Sequence, residues 1–219
     1  MKIITPIQEK FLKAFFISPL SSSFFLTGGT ALAQYYLKHR KSEDLDLFTL
    51  DQKLQFDFVN AEVLKIAKSL NFKIINQVST GTYIQFIFES NKEILKIDLV
   101  KDVPVQFGKI KKVRGVFVDS IENIAVNRLL AIFGRTDAKD FVDLYFILEN
   151  YKNLKFGDLF NKAKMKDTGL NIFYLASMLA EVESLTSFPK VLKEFNKQQM
   201  KDFFLELSQN LFKKIKPRR

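Results

Sequence analysis

Two stretches decide how this 219-residue chain folds: Leu26-Thr27-Gly28-Gly29-Thr30, and Ser42-Glu43-Asp44-Leu45-Asp46-Leu47-Phe48, whose Asp44 lies 15 positions beyond Gly29. The first reads as a buried strand, Phe24-Phe25-Leu26, that ends in a glycine pair and runs into a helix over Thr30 to Lys38. The second alternates polar and apolar residues over Asp44 to Thr49, the pattern of a strand. Side chains in a strand alternate faces, so Asp44 and Asp46 point one way and Leu45 and Leu47 enter the core. The spacing between the two stretches leaves room for one short helix and a return to the adjacent strand.

Side-by-side carboxylates repel, and a divalent cation with hard oxygen ligands relieves the repulsion. Lys96-Ile97-Asp98-Leu99-Val100 supplies another carboxylate, in an apolar strand where an unpaired charge is expensive to bury. If that strand neighbours the first, Asp98 becomes a third acidic ligand. The glycines lack Cβ atoms, so backbone N–H groups can approach a ligand, and the helix start behind them favours phosphate. A triphosphate cradle of Gly28, Gly29 and Thr30 would then face a metal site of Asp44, Asp46 and Asp98. That combination suits metal-assisted phosphoryl or nucleotidyl transfer.

Around this centre the chain reads as an α/β part followed by a helical part. Thr5-Pro6-Ile7-Gln8 is a capping box that opens a helix to about Ile17. Phe56 to Leu70 has helical spacing, with Phe58, Val59, Val63, Ile66, Ala67 and Leu70 as its apolar positions. Phe72 to Val78, Tyr83 to Phe88 and Ile94 to Val100 read as strands, with hairpin links at Ser79-Thr80-Gly81 and Ser90-Asn91-Lys92. Lys109 to Val118 reads as a loop and one short strand. Ser120 to Phe133, Ala138 to Asn150, Leu154 to Met165, Leu170 to Val182 and Pro189 to Ile215 read as helices. The expected division is an α/β domain over 1–119 and a C-terminal helical domain over 120–219.

Composition narrows the chemistry. The 34 Lys and Arg exceed the 24 Asp and Glu, a net charge of +10, which suits an anionic partner such as nucleic acid or nucleotide. The excess of Lys and Phe also fits codon bias in an AT-rich genome. Cysteine is absent, which excludes disulfides, thiolate zinc sites and Cys nucleophiles. A single histidine excludes His-rich metal centres. No run approaches eighteen apolar residues and the N-terminal stretch lacks a signal-peptide pattern, so the expectation is a cytoplasmic protein with no membrane partner.

Gly28-Gly29-Thr30-Ala31-Leu32, then Arg40-x-Ser42-x-Asp44-Leu45-Asp46-Leu47-Phe48, resembles the AbiEii/AbiGii toxin family of nucleotidyltransferases. Asn127-Arg128-Leu129-Leu130-Ala131 and Lys139-Asp140-Phe141-Val142-Asp143-Leu144-Tyr145 extend the likeness, which covers roughly 24–148. The resemblance implies a polymerase-β-like mixed sheet with a C-terminal helical bundle, and transfer of a nucleotide from an NTP with Mg²⁺, or Mn²⁺ in its place. It implies metal ligation by Asp44 and Asp46, activation of the acceptor hydroxyl by Asp98, and catalytic roles for Arg128 and for Asp140 or Asp143. Gly28, Gly29, Thr30, Arg40, Ser42 and Lys139 would bind nucleotide. It further implies a toxin with tRNA or another RNA as acceptor and a separately encoded, repressor-like antitoxin protein as partner. Arg128 departs from the Lys usual in the family, and a planar fork is not a point charge.

Some readings stay open on the residues alone. Arg128, Arg135, Lys139, Asp140 and Asp143 fall in two predicted helices, where an Asp–Arg ion-pair network stapling the helices competes with a catalytic role. His39 reads as an exposed residue at a loop or helix end. Two basic clusters, Lys109 with Lys111, Lys112 and Arg114, and Lys213 with Lys214, Lys216, Arg218 and Arg219, could hold an RNA backbone. A small-molecule nucleotidyltransferase of the antibiotic-modifying kind, needing an enclosed acidic pocket, is the alternative enzyme. A non-catalytic RNA- or protein-binding module is the third reading, and three retained carboxylates speak against it.

Overall fold

The alternating residues of Asp44–Thr49 form a strand whose inward side chains Leu45, Leu47 and Thr49 have no exposed surface. Its neighbours repeat the pattern, with Leu95, Ile97 and Leu99 on one side and Ile84, Phe86 and Phe88 beyond. Burying each such side chain contributes about 1.5–3 kcal/mol, so one face of the sheet is committed to the core and register is fixed by it. The computed structural model describes residues 3–215, so Lys216, Arg218 and Arg219 of the second basic cluster lie outside the described residues. The chain divides into two compact units, Met1–Ser120 and Ile121–Arg219.

The first unit is built on a seven-stranded mixed sheet in the order β3-β4-β5-β2-β1-β7-β6. Its strands are β1 (Phe25–Thr27), β2 (Asp44–Thr49), β3 (Lys73–Ser79), β4 (Tyr83–Ser90), β5 (Glu93–Lys101), β6 (Lys111–Val113) and β7 (Val116–Val118). The two-residue turn Asn91-Lys92 joins β4 to β5 with both residues at positive φ, and Arg114-Gly115 joins β6 to β7 in the same way. Lys109 to Val118 therefore holds two strands rather than one. β7 pairs parallel with β1, so β6 is carried to the sheet edge as a hairpin.

Helix α1 (Pro6–Phe15) begins at the Thr5–Gln8 capping box and ends before Ile17, which is exposed. Its Phe11 and Phe15 join Phe24 and Phe88 in an aromatic cluster, with ring centroids 5.6–6.2 Å apart. The buried side chain of Gln8 donates to the carbonyls of Ser42 and Glu43, fixing the entry to β2. Helix α3 (Phe56–Ser69) buries Val59, Val63, Ile66 and Ala67 but leaves Phe58 exposed, because Phe58 lies off the inward stripe. Helix α2 (Gly28–Ala31) continues as a π-helical segment, Leu32–Leu37, ended by Lys38 in the left-handed region.

The second unit holds α4 (Ile121–Gly134), α5 (Ala138–Asn150), α6 (Phe156–Lys166), α7 (Ile172–Ala180) with a 3₁₀ turn at Glu181–Ser184, and α8 (Lys197–Lys214). Phe141 of α5 and Phe204 of α8 meet edge to face at 5.1 Å, both fully buried. The expected helix over Pro189 to Ile215 is shorter at its start. Asn196 caps α8 through the N–H groups of Gln198 and Gln199, while Phe188 and Phe195 before it pack as rings in irregular chain. Asn171 likewise caps α7, one residue beyond the expected start at Leu170. Among the described residues no helix is long and apolar enough to cross a membrane.

A buried carboxylate that the sequence pattern did not mark closes the first unit. Asp119 accepts from the Thr27 hydroxyl at 2.6 Å, the Gln106 amide at 2.7 Å and the Ser120 N–H at 2.8 Å. Its own N–H donates to Leu26, and the Tyr36 hydroxyl donates to its carbonyl at 2.5 Å. Replacing Thr27 by Val keeps the shape and strips one donor from this buried charge. The expected loss is about 1–3 kcal/mol, read as a lower melting temperature. A Thr27→Val protein that melts with the wild type would count against the network.

Candidate active site

Parallel pairing of β2 with β5 sets Asp46 directly opposite Asp98 and Asp44 opposite Lys96. Opposed residues in neighbouring strands share a face, so the three carboxylates and the Lys96 ammonium stand on one side of the sheet. Antiparallel pairing continues the row outward, with Gln85 of β4 opposite Asp98 and Tyr83 opposite Val100. On the other flank Thr27 of β1 lies opposite Asp46.

Each oxygen of Asp98 has partners. Oδ1 accepts from the Tyr83 hydroxyl at 2.7 Å and from the Gln85 amide at 2.8 Å. Gln85 also donates to the Tyr83 oxygen at 2.7 Å, so the three groups lock together. Oδ2 lies 3.0 Å from Lys96 Nζ, which is 3.8 Å from Asp44 Oδ2. Burial pulls the Lys96 ammonium down, but its bond to Asp98 and the charges of Asp44, Asp98 and Asp46 outweigh burial and hold it above the usual lysine value. The Tyr83 phenol is pushed up to about 12 by burial first, then by its bond to Asp98 and the charge there.

The expectation that Asp44, Asp46 and Asp98 converge needs correcting in one respect. They share a face, but among the described residues no three acidic or histidine side chains stand close enough to hold a metal ion. Like charges separate unless a cation lies among them, and here the cation beside Asp44 and Asp98 is Lys96. The donor chemistry still fits a hard divalent ion, being carboxylate oxygens on adjacent strands.

The glycine pair sits against Asp46. Gly28 has φ +67°, and a Cβ added there would stand 1.9 Å from Asp46 Oδ2, so only glycine permits both the turn and this approach. Gly29 and Thr30 are buried. The Thr30 hydroxyl donates to the Asp44 carbonyl, tying the start of α2 to β2 and leaving backbone N–H groups as its means of reaching a ligand. Arg40 is buried and donates to the Lys41 carbonyl at 2.8 Å, while Ser42 is held through its carbonyl by Gln8. His39 is fully buried rather than exposed, because the chain turns inward after Lys38.

The remaining sequence candidates belong to the helical unit. Arg128 lies 2.7 Å from Asp140 and 2.9 Å from Asp143, and Arg135 lies 2.8 Å from the second oxygen of Asp140. Neither carboxylate has exposed surface. The hydrogen bond to Asp140 raises the pKa of Arg135. Lys139 is half-buried, 3.5 Å from Asp137. Lys96, Tyr83 and Gln85 were not singled out in the sequence. Strand alternation marks Lys96 as sharing the Asp98 face, but Tyr83 and Gln85 need the register of β4, which no local pattern reveals.

Two substitutions probe this geometry. Gly28→Ala puts a side chain at an unfavourable φ and drives Asp46 aside, with an expected loss of about 1–3 kcal/mol. Thermal melting checks the cost, and a crystal structure with Asp46 unmoved would contradict it. Arg128→Lys cannot span both carboxylates as the planar guanidinium does, so stability should fall by about 1 kcal/mol or more. Unchanged melting would show that the two contacts carry no stability.

Comparison with known proteins places the chain. Residues 10–213 match the family described as Nucleotidyl transferase AbiEii toxin, Type IV TA system. An uncharacterised protein of Aquifex aeolicus (strain VF5) is 25% identical over 201 residues, covering 84% of this chain and 89% of its own. A crystal structure of a candidate nucleotidyltransferase from H. pylori superposes with a TM-score of 0.62 at 20% identity, over 95% of this chain and 92% of that one. MenT4, a nucleotidyltransferase toxin of Mycobacterium tuberculosis H37Rv, superposes with a TM-score of 0.54 at 10% identity, over 95% and 84%. The two structures share the fold, and the family match spans nearly the whole sequence: the chain belongs to the AbiEii family of nucleotidyltransferase toxins.

Proposed function

We propose that the protein transfers a nucleotide from an NTP to tRNA on the face formed by Asp44, Asp46 and Asp98, with Mg²⁺ or Mn²⁺ held by those carboxylates. The observation that carries this reading is the register of β2 against β5, which sets Asp46 beside Asp98 with Gly28 packed on Asp46. A divalent ion bound there neutralises triphosphate charge and favours the departing pyrophosphate. Backbone N–H groups of Gly28, Gly29 and Thr30 cradle the phosphates, and Arg40 and Ser42 lie on the chain entering β2. Asp98, its Oδ1 already held by Tyr83 and Gln85, would help activate the acceptor hydroxyl by keeping the ion on Oδ2 beside it, and the hydroxyl proton would pass to water. The hydroxyl oxygen forms a bond to the α-phosphorus as the bond to pyrophosphate breaks.

An RNA acceptor is favoured over a small molecule by the β6–β7 hairpin of the same unit. Lys111, Lys112 and Arg114 are exposed on it and Lys109 precedes it, a basic surface suited to a phosphate backbone. Arg128, Asp140 and Asp143 are read as a brace within the helical unit, since neither carboxylate is exposed to a substrate. Lys139, half-buried 3.5 Å from Asp137, keeps the nucleotide-binding role only as what the resemblance implies. The family's description as a Type IV TA system supports a separately encoded cognate antitoxin, and the reading places the action in the cytoplasm.

Incubation with each α-labelled NTP, total tRNA and Mg²⁺ tests the reading on a denaturing gel. Label is expected on tRNA with one or a few of the NTPs. Asp46→Asn should lower transfer by at least a hundredfold while the protein stays folded. Label on no RNA with any NTP, or full transfer by Asp46→Asn, would defeat it.

A further inference from the structure

No step above uses Lys96, yet its ammonium stands among the groups proposed to hold metal. It lies 3.0 Å from Asp98 Oδ2 and 3.8 Å from Asp44 Oδ2, with about a third of its side chain exposed. Tyr83 and Gln85 hold Asp98 Oδ1, so Asp98 cannot turn that oxygen to a metal without breaking two hydrogen bonds. A divalent ion ligated by Asp98 must therefore compete with the ammonium for Oδ2. Lysine carries a compact charge on a flexible four-carbon stem, and a partly exposed stem can swing where a planar, forked group would stay.

We propose that Lys96 is a positioning residue that acts as a resident counter-charge: it offsets part of the charge of the acidic face in the free protein, competes with a divalent ion for Asp98 and Asp44, and yields when a nucleoside triphosphate arrives. The triphosphate gives the displaced ammonium a new anionic partner and gives the metal further oxygen ligands. Metal and nucleotide then favour each other's binding, and linkage makes that coupling reciprocal. The proposal rests on the reading of Asp44, Asp46 and Asp98 as metal ligands.

Binding of Mn²⁺, followed by electron paramagnetic resonance with and without a non-hydrolysable α,β-methylene NTP, tests it without any turnover. The wild type should bind Mn²⁺ weakly alone and at least tenfold more tightly with the analogue. Lys96→Met should bind Mn²⁺ about tenfold more tightly than wild type without nucleotide, and the coupling should shrink by a similar factor. Lys96→Arg, which keeps the charge and guards against loss of folding in the neutral variant, should not gain affinity for Mn²⁺ alone. Wild-type protein that binds Mn²⁺ equally well without nucleotide overturns the proposal, as does a folded Lys96→Met with unchanged or weaker affinity. Asp46→Asn separates the two readings. If it leaves Mn²⁺ binding with the analogue intact, the metal site itself is wrong; if it abolishes that binding while Lys96→Met changes nothing, only the role of Lys96 fails.

Discussion

Two carboxylates set side by side on adjacent parallel strands, Asp46 on β2 and Asp98 on β5, are the constraint around which the first unit is arranged. Hydrophobic burial imposes the pairing. Leu45, Leu47, Ile97 and Leu99 alternate with the acidic residues and are fully buried, so a slip of one residue would expose the core and bury the charges. Aliphatic packing thus holds together charges that would otherwise separate. The answering features all lie on the same face: the Lys96 ammonium, the Tyr83 and Gln85 donors, and the space above Gly28 into which the Asp46 carboxylate fits.

The helical unit meets a related problem differently. Asp140 and Asp143 on α5 are fully buried, and Arg128 of α4 reaches both. Removing one partner from such a group leaves an uncompensated buried charge, which costs about 3–5 kcal/mol, whereas the intact group adds little over well-packed apolar residues. Its consequence is geometric: α4 and α5 can pack in one register, the one in which the guanidinium meets both carboxylates. The sequence admitted both this brace and a phosphate contact, with the resemblance favouring the phosphate contact. Spacing within two helices puts Arg and Asp within reach of each other but says nothing of what else either one touches.

Much of the first unit was legible because its signals are local. The alternation of Asp44–Thr49, the capping box at Thr5 and Gln8, and the glycine pair before a helix each depend on a few adjacent residues. What escaped depends on pairing between distant segments. The partners of Asp98 Oδ1 come from the register of β4, and those of Asp119 come from β1, the π-helical segment and the chain before β6. His39 is buried by where the chain goes after Lys38, which periodicity does not encode. The start predicted for α8 at Pro189 came too early because the chain up to Phe195 is irregular, and Asn196 is the cap that opens the helix.

The two ends of Asp98 are held by groups of different kinds, and the difference matters for what the site can do. Oδ1 is fixed by neutral donors. With its pKa at about 12, the Tyr83 phenol stays protonated across the neutral range, so it orients the carboxylate without cancelling its charge. Oδ2 is held by a cation on a flexible stem. A neutral clamp leaves the negative charge available, and a mobile cation can be exchanged for another cation without rebuilding the sheet. Had the arrangement been reversed, with a cation clamped at Oδ1 by β4, the charge would be permanently neutralised and a second cation would gain little by binding. The placement of Tyr83 and Gln85 on the strand outside β5, and of Lys96 on the strand of Asp98 itself, keeps the orientation of the carboxylate separate from its neutralisation.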